Sequence, residues 1–431
     1  MQLNLSRDRQ CKWGINLIVL SVLFGMLSPV QAKSGHSGHS GHGAGYGVSA
    51  PCHEPLMRCA KTMTAHTTKE GRIWFAWAVK KSLYVNYSDD VGSTYSPPVL
   101  VNPEEETIAA RGENRPKIAT DAKGNVYVSW VKKLPQKWTA NIRFAWSADA
   151  GKHFSTPVTV NNDNEVTSHS FNEMVVSEEG VVTLAWLDGR HKKRAKSPGK
   201  VIGTSIYSAR FLPTKEPIDN LRNIHQLNTS CVCCRLALTL NAAEEPVLMW
   251  RHIFEGGIRD HGMAVLTQEP LIADVHRVSF ENWKIDGCPH KGPTLARQGK
   301  RLHMSWFSDS NVSPGLFYGH TDDEGVTVRA LLNVAAKNTF PAHPDLSVSR
   351  KGSVQLVWTE FDGALHHVKW MESEKGTSWS SVDTVASFPG SADYPFLVQH
   401  PSGSYLLWHK PGEPVALILL AGSSEVQGSN L

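Results

Sequence analysis

From Asn114 to Trp130 the chain reads NRPKIATDAKGNVYVSW: a short alternating run, a polar turn containing Gly124, and a second run that ends on tryptophan. Alternation at period two predicts strands with one buried face, and the Gly-containing break between two such runs predicts an antiparallel hairpin. AHPDLSVSRKGSVQLVW, from Ala342 to Trp358, repeats this pattern without a gap, so that Pro116 meets Pro344, Gly124 meets Gly352 and Trp130 meets Trp358. SFNEMVVSEEGVVTLAW, ending at Trp186, fits the same template, and segments ending at Trp77, Trp250, Trp306 and Trp408 fit it more loosely.

The copies follow one another at roughly 50 to 64 residues, each trailed by further β-rich runs such as ANIRFAW and SIYSARF, and helical periodicity is almost absent. Three or four short antiparallel strands repeated at this period make a propeller blade, since one such sheet cannot bury both faces alone. The expectation is therefore an all-β, seven-unit β-propeller, with six blades as the alternative if the first or last unit is not a true blade. The seventh unit, from Asp393 to about Leu420, is short and is expected to borrow an outer strand from the N-terminal segment.

The ends read differently. A basic start (Arg7, Arg9, Lys12), an apolar run from Ile15 to Leu27 and a small-residue exit at Ala32 form a secretory signal pattern over residues 1–32. Residues 33–50 repeat Ser-Gly-His, with His36, His39 and His42 at spacing three; such a segment cannot pack a core and reads as a flexible metal-collecting tail. Residues 51–421 then form one propeller domain, and 422–431 a disordered tail. The expected destination is secreted or periplasmic, as a monomer without a membrane span in the mature chain. A formal charge of +4 over 431 residues gives no reason to expect a nucleic-acid partner. The basic run GRHKKRAKSPGK reads as a solvated loop.

A second pattern sits inside the blades. SDDVGSTY (Ser88, Asp90, Gly92) and SADAGKHF (Ser147, Asp149, Gly151) both read Ser-x-Asp-x-Gly-x-x-aromatic; TDDEGVTV (Asp323, Gly325) is a near match and ESEKGTSW a degraded one. In such a turn the Asp carboxylate accepts backbone N–H groups and the glycine takes a backbone angle other residues avoid. These turns resemble the Asp-boxes, or BNR repeats, of the sialidase-like β-propeller superfamily, a resemblance that covers about residues 57–420. It implies the fold, and for a true sialidase it implies an arginine cluster for a substrate carboxylate and a tyrosine nucleophile paired with glutamate. Arg115 and Arg235, with Arg251 or Arg259, are the residues that could supply the clamp; Tyr394 occupies the place of the nucleophile, with Glu113 or Glu173 as its partner. The chain departs from the family where a Phe/Tyr-Arg-Ile/Leu-Pro motif is due: it reads LMRCAKTM, with Arg58 but no following Ile-Pro.

Because the first strand of every blade lines the channel, the repeat alignment also marks the channel mouth. Arg115, Phe171, Arg235, His343 and Tyr394 fall at equivalent positions, and Glu113, His169, Cys231, Cys233, Cys234 and Asp393 fall just before them. GCPHKGP adds Cys288 and His290, and CHEPLMRCAKTM adds Cys59 with Cys52 and His53 nearby. Thiolates and imidazoles converging there suit a soft or borderline metal. The expected ligands are Cys233, Cys234, Cys288, His290 and His343, with Cys59 as a further one. Met57, Met63 and His66 and the His-rich tail incline the choice to copper, with zinc as the alternative. The cysteines could instead form disulfides, and the mouth could serve an exported partner protein.

Overall fold

The computed structural model describes residues 56–191, 203–219, 221–272, 274–285, 287, 289–390 and 392–421. The signal pattern, the His-rich tail, the C-terminal tail, Cys52 and Cys288 lie outside them. No described helix is long and apolar enough to cross a membrane.

Among the described residues the hairpin units form seven antiparallel sheets, six of four strands and one of three. In the second blade Lys117–Thr120 pairs with Val126–Lys133, which pairs with Ala140–Ser147 and then Val158–Thr159. The innermost strands of successive blades lie side by side, and the ring closes where Met63–Thr67 of the first blade meets Phe396–His400 of the seventh. The architecture is thus a seven-bladed all-β propeller, with helix limited to single 3-10 turns among the described residues.

The seventh blade is the three-stranded one among the described residues, and residues 1–55, most of the segment expected to lend it an outer strand, lie outside them. The blade consists of Phe396–His400, Gly403–Leu407 and Leu417–Leu419, and no described N-terminal strand joins it. The described part of the N-terminal segment buttresses the closure: the Gly412 N–H donates to the Arg58 carbonyl at 2.8 Å, and Met57 packs in the cluster that joins the first and seventh blades.

The tryptophans that end the second strands carry the inter-blade core. Trp77, Trp130, Trp186, Trp250, Trp306 and Trp358 are fully buried and Trp408 nearly so. Most also place the indole N–H, which burial would otherwise leave unsatisfied: Trp130 donates to Glu106, Trp186 to Asp188, Trp306 to Glu281 and Trp358 to Glu360.

Ser-x-Asp-x-Gly turns seat blades against the ones before them, as in the second and fifth. In the second blade Ser147 Oγ donates to Asp149 and accepts from the Gly151 N–H, while Asp149 accepts the His153 N–H. Gly151 has φ +78, and a Cβ there would lie 2.4 Å from the Trp74 ring of the first blade. Gly325 in the fifth blade stands in the same relation to Val278 and Met263 of the fourth. Glycine is needed at both positions for backbone angle and for space.

Candidate functional site

The loops that lead from one blade to the innermost strand of the next gather at one mouth, and Glu113 ties three of them together. Its carboxylate accepts the Gly292 N–H at 2.9 Å, the Arg235 N–H at 3.2 Å and His343 Nδ1 at 3.3 Å. These partners begin the fifth, fourth and sixth blades. Burial opposes ionisation of Glu113, but His343, the positive charge of Arg235 and the Gly292 N–H outweigh it and hold the pKa at about 2. Burial first lowers the pKa of His343, against the raising effect of the adjacent Glu113.

Arg115 is engaged just as fully. Its guanidinium bonds both oxygens of Asp393, at 2.7 and 3.2 Å, as well as the carbonyls of Met63 and Gly112. Arg235 donates to the carbonyls of Pro293 and Pro344, and Arg251 to those of Arg259, Lys291 and Phe307. These arginines stitch strand starts together. Lys117 and Glu173 pair at 2.5 Å inside a channel cavity of about 220 Å³ that Arg115, Arg235 and Asp345 also line.

Tyr394 lies flat on His343, with ring centroids 3.4 Å apart. Burial first, and then the charge of Glu113, push its hydroxyl up to about 12. The carboxylate of Glu113 bonds Gly292, Arg235 and His343 and leaves the Tyr394 hydroxyl without its support. Two of these mouth residues, Phe171 and His343, have positive φ (53° and 52°) and sit at β-bulges in the innermost strands of the third and sixth blades. Bulges of this kind re-aim side chains, here at the channel mouth.

Beside this hub, the loop between Asn223–Ser230 and Ala237–Leu240 carries Cys231, Cys233 and Cys234. They are thiols, all buried, with their sulfurs within 4.8 Å of one another. Cys231 and Cys234 are 3.9 Å apart at sulfur, and Arg259 Nη1 reaches the Cys231 sulfur at 3.6 Å. The loop is pinned at both ends: the Cys231 N–H donates to the Arg251 carbonyl at 2.9 Å, and Arg235 is held by Glu113. Hydrogen bonds from Cys233 and Cys234, with the charges of Arg251 and Arg259, hold the Cys231 thiol far below the usual range; its bond to Cys231 pushes Cys234 up.

The structure brings together only part of the expected ligand set. Cys233 and Cys234 are joined by Cys231, which forms a Cys-x-x-Cys pair with Cys234. Cys59 is disulfide-bonded, so its sulfur has no thiolate to offer; this corrects its place among the ligands. His343 faces Glu113 and Tyr394, and His290 faces Phe171 at 6.5 Å, so neither belongs to the thiol cluster. Met57 and Met63 pack in the core of the first blade, and His66 bonds Thr120.

A second group, Asp163, His169 and Asp188, also has metal-ligand proximity. Here the position a cation would take is filled by Arg190, whose guanidinium bonds both oxygens of Asp188, while His169 Nδ1 donates to the Ala140 carbonyl. The group is an ion-pair network that braces the third blade against the second.

No protein-family model and no curated protein sequence matches the chain. Similar solved structures include the Hadza microbial sialidase Hz136 (13% identity, covering 81% of this chain and 77% of that one, TM-score 0.44). An ulvan lyase from a family of polysaccharide lyases shows 10% identity over 82% of this chain and 91% of its own, with a TM-score of 0.49. The Penicillium chrysogenum α-L-arabinanase shows 11% identity over 71% and 92%, with a TM-score of 0.46.

Proposed function

We propose that this propeller binds a soft or borderline metal ion, copper(I) foremost and zinc as the alternative, through the thiols of Cys231, Cys233 and Cys234, as an exported metal-handling protein. The observation that carries this reading is the convergence of three buried sulfurs within 4.8 Å of one another on a loop fixed at both ends. Three thiolates are a soft donor set of the kind that selects Cu(I) or zinc over hard cations. Arg259 against Cys231 and Arg251 nearby offset part of the negative charge that such a set concentrates.

Glu113 acts at one remove in this reading. By holding the Arg235 and Gly292 N–H groups it fixes the thiol loop and the start of the fifth blade, which is the role of outer-shell partners in metal sites. The His-rich tail with His36, His39 and His42 would capture ions ahead of the buried site. The Ser-x-Asp-x-Gly turns are, in the same reading, Asp-box turns of the sialidase-like superfamily, retained for packing alone. The test is a competition titration of the reduced chain with Cu(I) against a chromogenic chelator. Stoichiometric binding lost in Cys231→Ser and in Cys234→Ser, with both variants folded, supports the site; unchanged binding in both removes it.

A further inference from the structure

The three thiols are not equivalent, and their inequality suggests a chemistry beyond metal binding. Cys231 and Cys234 are separated by two residues and their sulfurs already stand 3.9 Å apart, so rotation about the side-chain bonds closes most of the remaining distance to a disulfide. Adjacent Cys233 and Cys234 lack that freedom, since bridging neighbours distorts the intervening peptide. Arg259 Nη1 reaches the Cys231 sulfur at 3.6 Å, a cationic contact that sets Cys231 apart within the trio. We propose that Cys231 and Cys234 form an oxidation site, a dithiol that hydrogen peroxide converts to a disulfide, and that this conversion empties the metal centre.

The chemistry balances with peroxide as the two-electron oxidant. The Cys231 sulfur attacks one peroxide oxygen: an S–O bond forms, the O–O bond breaks, and hydroxide leaves to take up a proton as water. The sulfenic acid on Cys231 is then attacked by the Cys234 sulfur. The S–S bond forms, the S–O bond breaks, and hydroxide leaves with the Cys234 proton as a second water. Two thiols are oxidised and one peroxide is reduced to two waters. Peroxide is small enough for a buried site, where Cys231 and Cys234 are 1% and 2% exposed. The disulfide itself follows from the sulfur geometry, whereas release of the ion rests on the metal reading above.

The experiment treats the full chain, reduced and metal-free, with hydrogen peroxide, alkylates remaining thiols, and maps disulfides by peptide mass spectrometry. In parallel, zinc binding is measured before oxidation, after it, and after re-reduction. The expected result is a Cys231–Cys234 cross-link, with zinc binding abolished by oxidation and restored by a thiol reductant. In Cys234→Ser the cross-link should be absent and a dimedone adduct should appear on Cys231, which a merely structural thiol would not give. A cross-link through Cys233, or no dimedone adduct on Cys231, overturns the proposal. If the reduced protein takes up no zinc, the metal reading fails, while the cross-link still decides the oxidation site.

Discussion

Arg115 and Asp393 stand 278 residues apart in the chain and meet in a buried two-pronged ion pair. The pair sits where the ring closes: Asp393 begins the seventh blade and also accepts the Met63 N–H of the first, while Arg115 begins the second. Its charges are out of water, so its value lies in what happens when one partner is lost. Asp393→Ala leaves a buried guanidinium without its counter-charge and should destabilise the protein by about 3–5 kcal/mol, read by denaturant unfolding. Arg115→Met with Asp393→Leu should recover much of that loss. A near-neutral Asp393→Ala would show that the closure depends on apolar packing alone.

Gly151→Ala tests the turn that seats the second blade on the first. With the new Cβ forced to 2.4 Å from Trp74 at φ +78, the turn or the tryptophan must move. The expected cost is about 1–3 kcal/mol, read as a lowered thermal midpoint. Gly352→Ala provides the comparison: its Cβ would meet nothing within 4 Å, so only the backbone penalty remains.

Glu113 makes a pH-dependent contribution with a definite sign. Its folded pKa lies below the ordinary 4.5, at about 2, so the carboxylate stabilises the fold fully above pH 4.5 and loses this effect as pH falls toward 2. Metal-free Glu113→Gln should therefore show a flatter decline of thermal midpoint between pH 4.5 and 2 than the wild type. At neutral pH the same variant should bind Cu(I) about 10–100-fold more weakly, the usual effect of loosening an outer-shell partner. Parallel acid limbs in the two proteins would place the stabilisation elsewhere.

The mouth should not release the leaving group of a fluorogenic sialoside. Arg115 is neutralised by Asp393, Arg235 and Arg251 serve backbone carbonyls, and the Tyr394 hydroxyl is held protonated up to about pH 12. Turnover that disappears in Tyr394→Phe would restore a glycosidase role to the stacked Tyr394 and His343.

The propeller was readable because its signals are local: alternation, turn glycines and strand-ending tryptophans recur at one spacing, and each reports on a single hairpin. The alignment also located the mouth, since Glu113, the cysteines, His343 and Tyr394 all lie at innermost strand starts. Which of those residues face one another was not readable. That depends on two bulges, at Phe171 and near His343, and on the direction each loop takes between blades. His343 consequently turns toward Glu113, and Cys231, rather than a histidine, completes the thiol trio. The Arg259 contact to Cys231 spans 28 residues between two loops of irregular backbone, where no periodicity exists to predict it.

The most direct test of the thiol centre is X-ray absorption spectroscopy at the zinc edge, on the full chain loaded with one equivalent of zinc under reducing conditions and carrying alanine at His36, His39 and His42. Coordination by Cys231, Cys233 and Cys234 predicts a sulfur shell at about 2.3 Å that thins in Cys234→Ser. A shell of nitrogen and oxygen alone, unchanged by that substitution, would contradict a metal centre built on these cysteines.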